Sequence, residues 1–211
     1  MITLDTPYGE ARVDVDVPGR NPMALLVLGH GAGGDVDSPD LVAVRDAALA
    51  VRVAVARVTQ PYRVKGRRSP APVAQLDAAW TAVVEALRAE YPKPPLVTGG
   101  RSSGARVACR TARDLGAVGV LALAFPLHPP GRPDKSRAPE LKTGVPTLVI
   151  NGDRDPFGIP EPGGDVEVCV LPGERHDLRR EPAMVADAAV AWLRRYGWAA
   201  KSARAVSRTS R

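Results

Sequence analysis

The sequence predicts an α/β protein: a mostly parallel sheet of eight strands with helices on both faces, which makes three layers. Short β-type runs alternate with helical runs along most of the chain. Most of these β-type runs are continuously aliphatic, which is typical of strands that are buried on both faces of a parallel sheet. The chain has 211 residues and no segment that reads as an interdomain linker, so we expect one domain with one large core.

The first two strands are predicted to form an antiparallel hairpin at the edge of the sheet. The runs "ITLDT" and "ARVDVDV" flank the turn residues Pro7, Tyr8 and Gly9, and the second run alternates strictly between apolar and polar residues. Six more strands are predicted from the runs "MALLVLGH", "VRVAVARV", "PPLVTGG", "VGVLALAF", "VPTLVING" and "VEVCVLP". Helices are expected at about 39–50, 72–91, 104–115 and 180–197.

The run "GGRSSGAR" follows the fifth predicted strand and precedes a helical run. Only Ser102 has glycines two residues away on both sides, Gly100 and Gly104, which completes the pattern G-x-S-x-G. A sharp strand-to-helix turn needs flanking residues without bulk, and it exposes the hydroxyl at its apex. The pattern therefore predicts that Ser102 is a nucleophile and that the backbone N–H of Ser103 points to a developing oxyanion. The alternative is a plain strand-to-helix turn.

Polar residues of catalytic type follow several of the predicted strands. His30 follows the third strand in "LGHGAGG", His128 the sixth in "FPLHPP", Asp155 the seventh in "NGDRDPFG" and His176 the eighth in "LPGERHDL". The carboxyl ends of parallel strands share one edge of the sheet, where binding sites gather. All three histidines of the chain are thus expected at the edge that carries Ser102.

A serine hydroxyl is a poor nucleophile unless an imidazole takes its proton and an acid orients that imidazole. His176 and Asp155 fit these two roles. Alternatively, His176 is a histidine of a surface loop and Asp155 a turn residue before Pro156. His30 is either an architectural part of the glycine loop or a substrate contact. His128 either packs within its Pro-rich loop or lines the pocket.

The combination of "HGAGG", "GGRSSGAR", "GDRDPFG" and a late "ERH" resembles the α/β-hydrolase family, with its order of serine, acid and histidine. The resemblance covers residues 1–198. The stretch "FPLHPPGRP", together with "NGDRDPFG", resembles more narrowly the small hydrolases related to dienelactone hydrolase. It points to the subfamily of testis-expressed hydrolase-like proteins and a subunit of the non-specific lethal chromatin complex. The resemblance implies a three-layer α/β-hydrolase fold and a serine hydrolase that needs neither cofactor nor metal.

Carried over to this chain, the resemblance makes Ser102 the nucleophile and His176 the base. Asp155 rather than Asp153 is then the acid, because it occupies the fourth place of the pattern G-x-x-D that begins at Gly152. These three residues are the candidate catalytic residues.

The family's oxyanion hole maps to the backbone N–H of Ser103 and to one N–H of the glycine loop, that of Ala32. Many relatives carry Met and a second Gly after the nucleophile, where this chain has Ser103 and Ala105. The Ser103 hydroxyl adds a competing donor, but the backbone N–H is unaffected by the change.

The loop after the fourth strand, "YRVKGRRSPAP", contains four cations and no acid. It is expected to overhang the carboxyl edge, where Arg67 and Arg68 are candidates for binding an acidic substrate group. The alternative is a solvated basic loop. Arg101 is expected to pair structurally rather than to contact substrate. Fewer than twenty residues separate the sixth and seventh predicted strands, so we expect no large lid and an open pocket for small soluble esters, lactones or thioesters.

The net charge of +6 is concentrated near the C-terminus. Residues 199–211 contain four cations and no acid, so residues 1–198 carry about +2. We expect residues 1–198 to form the hydrolase-like domain and 199–211 a basic, disordered tail. Nucleic-acid binding is not favoured, because no recognisable motif or set of interleaved aromatic residues accompanies the charge.

Other features of composition limit the location and the partners. No apolar stretch approaches 18 residues, and the N-terminal run lacks the order of a secretory signal, so a cytoplasmic location and no membrane contact are expected. The expected partner is a small-molecule substrate, and the oligomeric state stays open. The second functional hypothesis is a binding or scaffold protein that kept the fold and lost useful turnover.

Overall fold

Eight strands form one sheet in a computed structural model that describes residues 1–201. They are Ile2–Leu4 (β1), Ala11–Asp16 (β2), Ala24–Gly29 (β3), Val53–Thr59 (β4), Leu96–Arg101 (β5), Gly119–Leu123 (β6), Thr147–Gly152 (β7) and Val166–Leu171 (β8). Their order across the sheet is β1-β2-β4-β3-β5-β6-β7-β8. β1 and β2, and β2 and β4, pair antiparallel, whereas the later pairs are parallel. The predicted mostly parallel sheet is therefore confirmed.

Helices cover both faces of this sheet. They are Pro39–Ala50 (α1), Pro61–Val64 (α2), Val73–Glu90 (α3), Ser103–Thr111 (α4) and Pro182–Arg195 (α5), with a 3₁₀ turn at Ala138–Leu141. α1 and α5 pack together on one face, where Leu41 and Trp192 belong to one apolar cluster. α3 and α4 pack on the other face, where Trp80 and Val107 belong to a second cluster. The three-layer prediction is confirmed.

Two short elements were not predicted, and one helix is shorter than expected. The four residues of α2 and of the 3₁₀ turn are too few to show a helical period. α4 ends at Thr111 rather than near 115, because the chain turns back at Gly116, whose φ of 62° is in the left-handed region. The connection between β6 and β7 is residues 124–146, and within it the structure has no helix longer than that 3₁₀ turn.

The C-terminal segment packs slightly beyond the predicted domain boundary at residue 198. Ala199 is 2% exposed within the apolar cluster of α1 and α5, and the Ala200 N–H donates to the carbonyl oxygen of Val51 at 2.8 Å. Residues 202–211 lie outside the described residues, so the disordered tail stays a prediction. No helix within residues 1–201 is both long and apolar enough to cross a membrane.

Candidate active site

Ser102 is the apex of a sharp turn between β5 and α4. Its φ of 53° and ψ of −109° are unusual for a residue with a side chain, and they mark a strained backbone. Its N–H donates to the carbonyl oxygen of Leu123 on β6 at 2.9 Å, and its own carbonyl accepts from the N–H of Arg106 at 3.2 Å. The strain is thus held by hydrogen bonds on both sides, and the hydroxyl is half-exposed at the carboxyl edge.

The two glycines of the motif allow this turn to sit directly on the end of β3. A Cβ at Gly100 would lie 2.5 Å from the carbonyl oxygen of Gly29, and a Cβ at Gly104 would meet the same carbonyl at 2.5 Å. Side chains at these positions would push the turn away from the glycine loop that follows β3. The close approach of the turn to Gly29 therefore explains why the positions on both sides of Ser102 are glycines.

Loops from three strands bring Ser102, His176 and Asp155 together. His176 Nε2 is 2.9 Å from Ser102 Oγ, and His176 Nδ1 is 2.8 Å from Asp155 Oδ2. Because a carboxylate only accepts, Nδ1 carries the ring proton and Nε2 is free to accept from the serine hydroxyl. The arrangement is a continuous hydrogen-bonded chain from carboxylate to hydroxyl.

Asp155 is fixed in place by its surroundings. Its side chain is fully buried, and its Oδ1 accepts from the Phe157 N–H at 2.9 Å, while Asn151 Nδ2 is 3.3 Å from Oδ2. Asp153 points elsewhere, because its Oδ1 accepts from the N–H of Gly173 at 2.7 Å. The two aspartates of "GDRD" therefore have separate structural roles.

The sequence did not indicate two residues that contact the hydrogen-bonded Asp155, His176 and Ser102. Asn151 joins β7 to the end of β6, since its side chain accepts from the N–H of Phe125 and donates to the Phe125 carbonyl. The ring of Phe157 packs on the imidazole of His176 with centroids 4.1 Å apart. Both residues flank Asp155 in "INGDRDPF". The pattern around Asp155 indicates that the segment belongs to the site, but it does not indicate the contacts of Asn151 and Phe157.

His30 lies in the glycine loop at residues 30–34, and its contacts support the architectural alternative. Its Nε2 accepts from the N–H of Gln60 at 3.1 Å, so Nδ1 carries the proton and donates to the carbonyl of Gly31 at 2.8 Å. Burial lowers the pKa of His30, which favours the neutral ring that this arrangement needs. Both ring nitrogens of His30 are therefore occupied by hydrogen bonds to the main chain, as the architectural alternative expects.

The candidate oxyanion donors belong to the residue after Ser102 and to the glycine loop. Ser103 is the first residue of α4, so its N–H has no partner within the helix. The glycine loop lies against Ser102, because a Cβ at Gly31 would be 3.6 Å from Ser102 Cβ. The Tyr62 hydroxyl donates to the carbonyl of Ala32 at 2.7 Å and fixes that peptide. The roles of the Ser103 and Ala32 N–H groups stay predictions.

His128 packs against the loop that carries Asp155. Its N–H donates to the carbonyl of Phe157 at 2.9 Å, its Nδ1 is 2.8 Å from the carbonyl oxygen of Pro129, and its ring lies against Gly158. These contacts support the packing alternative. A role of His128 in lining the pocket is not needed to explain them.

Two cavities of similar size lie near the carboxyl edge. One of about 450 Å³ is lined by His176 together with Arg101, Arg154 and Arg175. The other, of about 470 Å³, is lined by Tyr62 and by the predicted basic residues Arg67 and Arg68.

The basic loop thus borders a cavity other than the one that reaches His176, and Tyr62 joins it to the glycine loop. Residues 1–201 contain no group of three or more His, Cys, Asp or Glu side chains arranged to hold a metal ion.

The sequence matches the family described as "Alpha/beta hydrolase domain" over residues 22–187. The chain belongs to the α/β hydrolase family. This α/β hydrolase is also similar in fold to solved structures, which include a serine hydrolase without a lid from Xanthomonas campestris. That comparison has a TM-score of 0.74 and 22% identity, and it covers 92% of this chain and 93% of the other.

Two further structures show the same fold at similar distance. An α/β serine hydrolase homologue from Coxiella burnetii has a TM-score of 0.76 and 18% identity, with 91% of this chain and 96% of the other covered. Est1E from Butyrivibrio proteoclasticus, solved with ferulic acid, has a TM-score of 0.75 and 17% identity, with 92% and 98% covered. At these identities the structures establish the shared fold of this α/β hydrolase, and its narrower subfamily stays a prediction.

Proposed function

We propose that the protein is a serine hydrolase that cleaves a small soluble ester, lactone or thioester through an acyl-enzyme intermediate. The observation that carries the proposal is the chain of hydrogen bonds at 2.8 and 2.9 Å that links Asp155, His176 and Ser102. Family membership and the strained backbone of Ser102 give it independent support.

Acylation begins when Ser102 Oγ attacks the substrate carbonyl and His176 Nε2 takes the hydroxyl proton. Asp155 keeps the imidazole in the required tautomer and stabilises the imidazolium that forms. The negative charge on the carbonyl oxygen is stabilised by the N–H groups of Ser103 and Ala32. His176 then gives its proton to the leaving alkoxide or thiolate, and the acyl group remains on Ser102.

Deacylation repeats these steps with water as the nucleophile. His176 takes a proton from the water that attacks the acyl carbonyl, and it returns that proton to Ser102 Oγ as the acid leaves. The side chain of His176 is 19% exposed, so water reaches it directly. No residue besides those already named needs to change its protonation state.

The open edge of the sheet supports the proposed substrate class. The connection between β6 and β7, residues 124–146, folds into no more than a short 3₁₀ turn, so nothing in it forms a large cover over Ser102. The cavity that reaches His176 is lined mostly by charged and polar residues, which favours small soluble substrates over long acyl chains. The resemblance of "FPLHPPGRP" and "NGDRDPFG" to dienelactone-hydrolase-like proteins supports the same class.

A fluorophosphonate probe is expected to label Ser102, with loss of fluoride and formation of an Oγ–P bond. Peptide mapping by mass spectrometry locates the adduct, and Ser102→Ala and Ser103→Ala provide the matched pair of variants. Labelling should be lost in the first and kept in the second, because Ser103 contributes its backbone N–H. Folded wild-type protein that takes no label would instead support the second hypothesis, a binding or scaffold protein.

The basic loop leads to a prediction about substrate charge. We propose that Arg67 and Arg68 attract an anionic group toward the glycine loop, since they border the cavity that includes Tyr62. Neutralising both to Gln should raise KM several-fold for an ester that bears a carboxylate and leave a neutral ester of similar size unchanged. The size follows from exposed charges, which contribute at most about 1 kcal/mol each, and the effect should shrink as salt increases.

Arg154 and Arg175 provide the comparison for that experiment. Both are exposed, and they line the cavity that reaches His176. If their neutralisation alone raises KM for the charged ester, the anionic group binds beside His176 and the basic loop is solvated surface. Equal losses on both esters in either variant would indicate damage to the fold.

A further inference from the structure

Arg101 is the residue immediately before Ser102, and its side chain contacts three separate segments. Nη2 donates to the carbonyl oxygen of His176 at 3.1 Å. Nε is 3.2 Å from Oδ2 of Asp40 at the start of α1. Nη1 lies against the glycine loop, where a Cβ at Gly31 would be 3.0 Å away. One guanidinium thus contacts the histidine loop, the glycine loop and α1, although it belongs to β5.

The contact with His176 is the main-chain tether of that residue. Within residues 1–201, the N–H and carbonyl of His176 make no other hydrogen bond, and the ring is held by Ser102 and Asp155. The position of the His176 ring relative to Ser102 therefore depends on the His176 main chain, which is hydrogen-bonded to Arg101. A displacement of about 1 Å in such a group costs roughly 100-fold in rate.

Asp40 anchors the guanidinium. Its side chain is fully buried, and that of Arg101 is 14% exposed. Burial raises the pKa of Asp40, and the positive charge of Arg101 is the largest opposing influence. The contact is a single charge pair without hydrogen-bond geometry, but a carboxylate buried without its cation is costly, so the pair favours an Arg101 side chain directed toward α1. The planar fork of Arg then leaves Nη1 and Nη2 for the two loops, an arrangement that a single ammonium does not reproduce.

We propose that Arg101 is a positioning residue: anchored on Asp40, it sets the His176 loop and the glycine loop relative to Ser102. In this role Arg101 acts through its contacts with other residues of the protein, and it takes part in no proton transfer. Its side chain holds the main chain of His176 by a hydrogen bond and packs against Gly31 of the glycine loop. This inference rests on the proposed function and deepens it by assigning a role to the one charged residue inside the G-x-S-x-G turn.

The test separates positioning from stability with a double variant. Arg101→Met should lower both kcat on a small neutral ester and the rate constant of fluorophosphonate labelling by about 10- to 100-fold, with KM changed less than about threefold. It should also lower Tm, because Asp40 loses its cation. Adding Asp40→Asn removes the buried charge, so Tm should recover while kcat and the labelling rate stay low. Recovery of the rates together with Tm would overturn the proposal.

Arg110→Met is the matched control. Arg110 makes a two-pronged ion pair with Asp77 at 2.6 and 2.8 Å and a second ion pair with Glu140 at 3.2 Å, and its side chain is 18% exposed. The pair with Asp77 joins α4 to α3 and contacts neither loop of the site. This control should lower Tm and leave kcat and labelling per folded molecule unchanged. An equal loss of rate in Arg110→Met and Arg101→Met would show that Arg101 acts only through stability.

A readout that needs no activity keeps the two proposals distinct. Hydrogen exchange of the amides in residues 31–34 and 174–178 should be faster in Arg101→Met than in wild type, and unchanged in Arg110→Met. If wild-type protein takes no label, the proposed function fails and the exchange experiment alone decides on Arg101. Unchanged exchange in both segments would overturn the positioning role.

Discussion

Replacing Ser102 with alanine is expected to lower ester hydrolysis by about 10⁴-fold or more, measured as kcat/KM on a small activated ester. The variant keeps the turn, the glycine loop and the N–H of Ser103, so the remaining rate reports the oxyanion donors and binding alone. His176→Ala is expected to lose at least about 10³-fold, because without the imidazole the hydroxyl keeps its proton. The double variant should be little worse than either single one, since the two residues act as a unit.

Ser103→Ala is the control for the Ser102 prediction. The two serines are adjacent, and both are half-buried, but only Ser102 Oγ is within hydrogen-bond distance of His176 Nε2. Loss of the Ser103 hydroxyl leaves its backbone N–H in place, so the rate should change less than about threefold, in line with loss of one exposed hydroxyl contact. A large loss of activity in Ser103→Ala, with activity kept in Ser102→Ala, would identify Ser103 as the nucleophile instead of Ser102.

The fold was predictable because its signals are local and repeated. Mostly aliphatic runs marked β3 to β8, and turn residues with the strictly alternating run of β2 marked the antiparallel hairpin at the edge. The elements that escaped prediction lack such a signal. α2 has four residues, and the Arg67 N–H donates to the carbonyl oxygen of Tyr62 within it at 3.0 Å, a local turn that no periodic pattern in the sequence indicates.

The sequence predicts those parts of the candidate site that depend on residues close together in the chain. Gly100 and Gly104 single out Ser102 because the backbone at those positions touches Gly29 across the sheet. The links between loops are of another kind. Arg101 and Asp40 are 61 positions apart, and nothing in either run indicates that the carboxylate is fully buried against that guanidinium. Such pairs are fixed by tertiary packing, which a single sequence does not display.

Asp155→Asn is expected to lower turnover by about 10³-fold or more, whereas Asp153→Asn should cost less than about threefold. Asp155 Oδ2 accepts from His176 Nδ1, and an amide in its place presents an N–H that favours the wrong tautomer of the ring. Asp153 is exposed and accepts from the Gly173 N–H through Oδ1, a bond that an Asn oxygen keeps. The two substitutions are chemically identical and two residues apart, so their difference isolates the contact with the imidazole.

The measurement combines kcat/KM, labelling rate and Tm for both Asn variants. Asp155→Asn should slow hydrolysis and labelling by similar factors, because both reactions need His176 to take the proton of Ser102. Its Tm should fall modestly, since the amide oxygen still accepts from the Phe157 N–H but the new Nδ2 faces the Asn151 Nδ2 donor. A severe loss in Asp153→Asn with Asp155→Asn active would make Asp153 the acid. Such a result would require the loop after β7 to rearrange in solution, because in the present geometry the Asp153 carboxylate is bonded to Gly173 and the imidazole to Asp155.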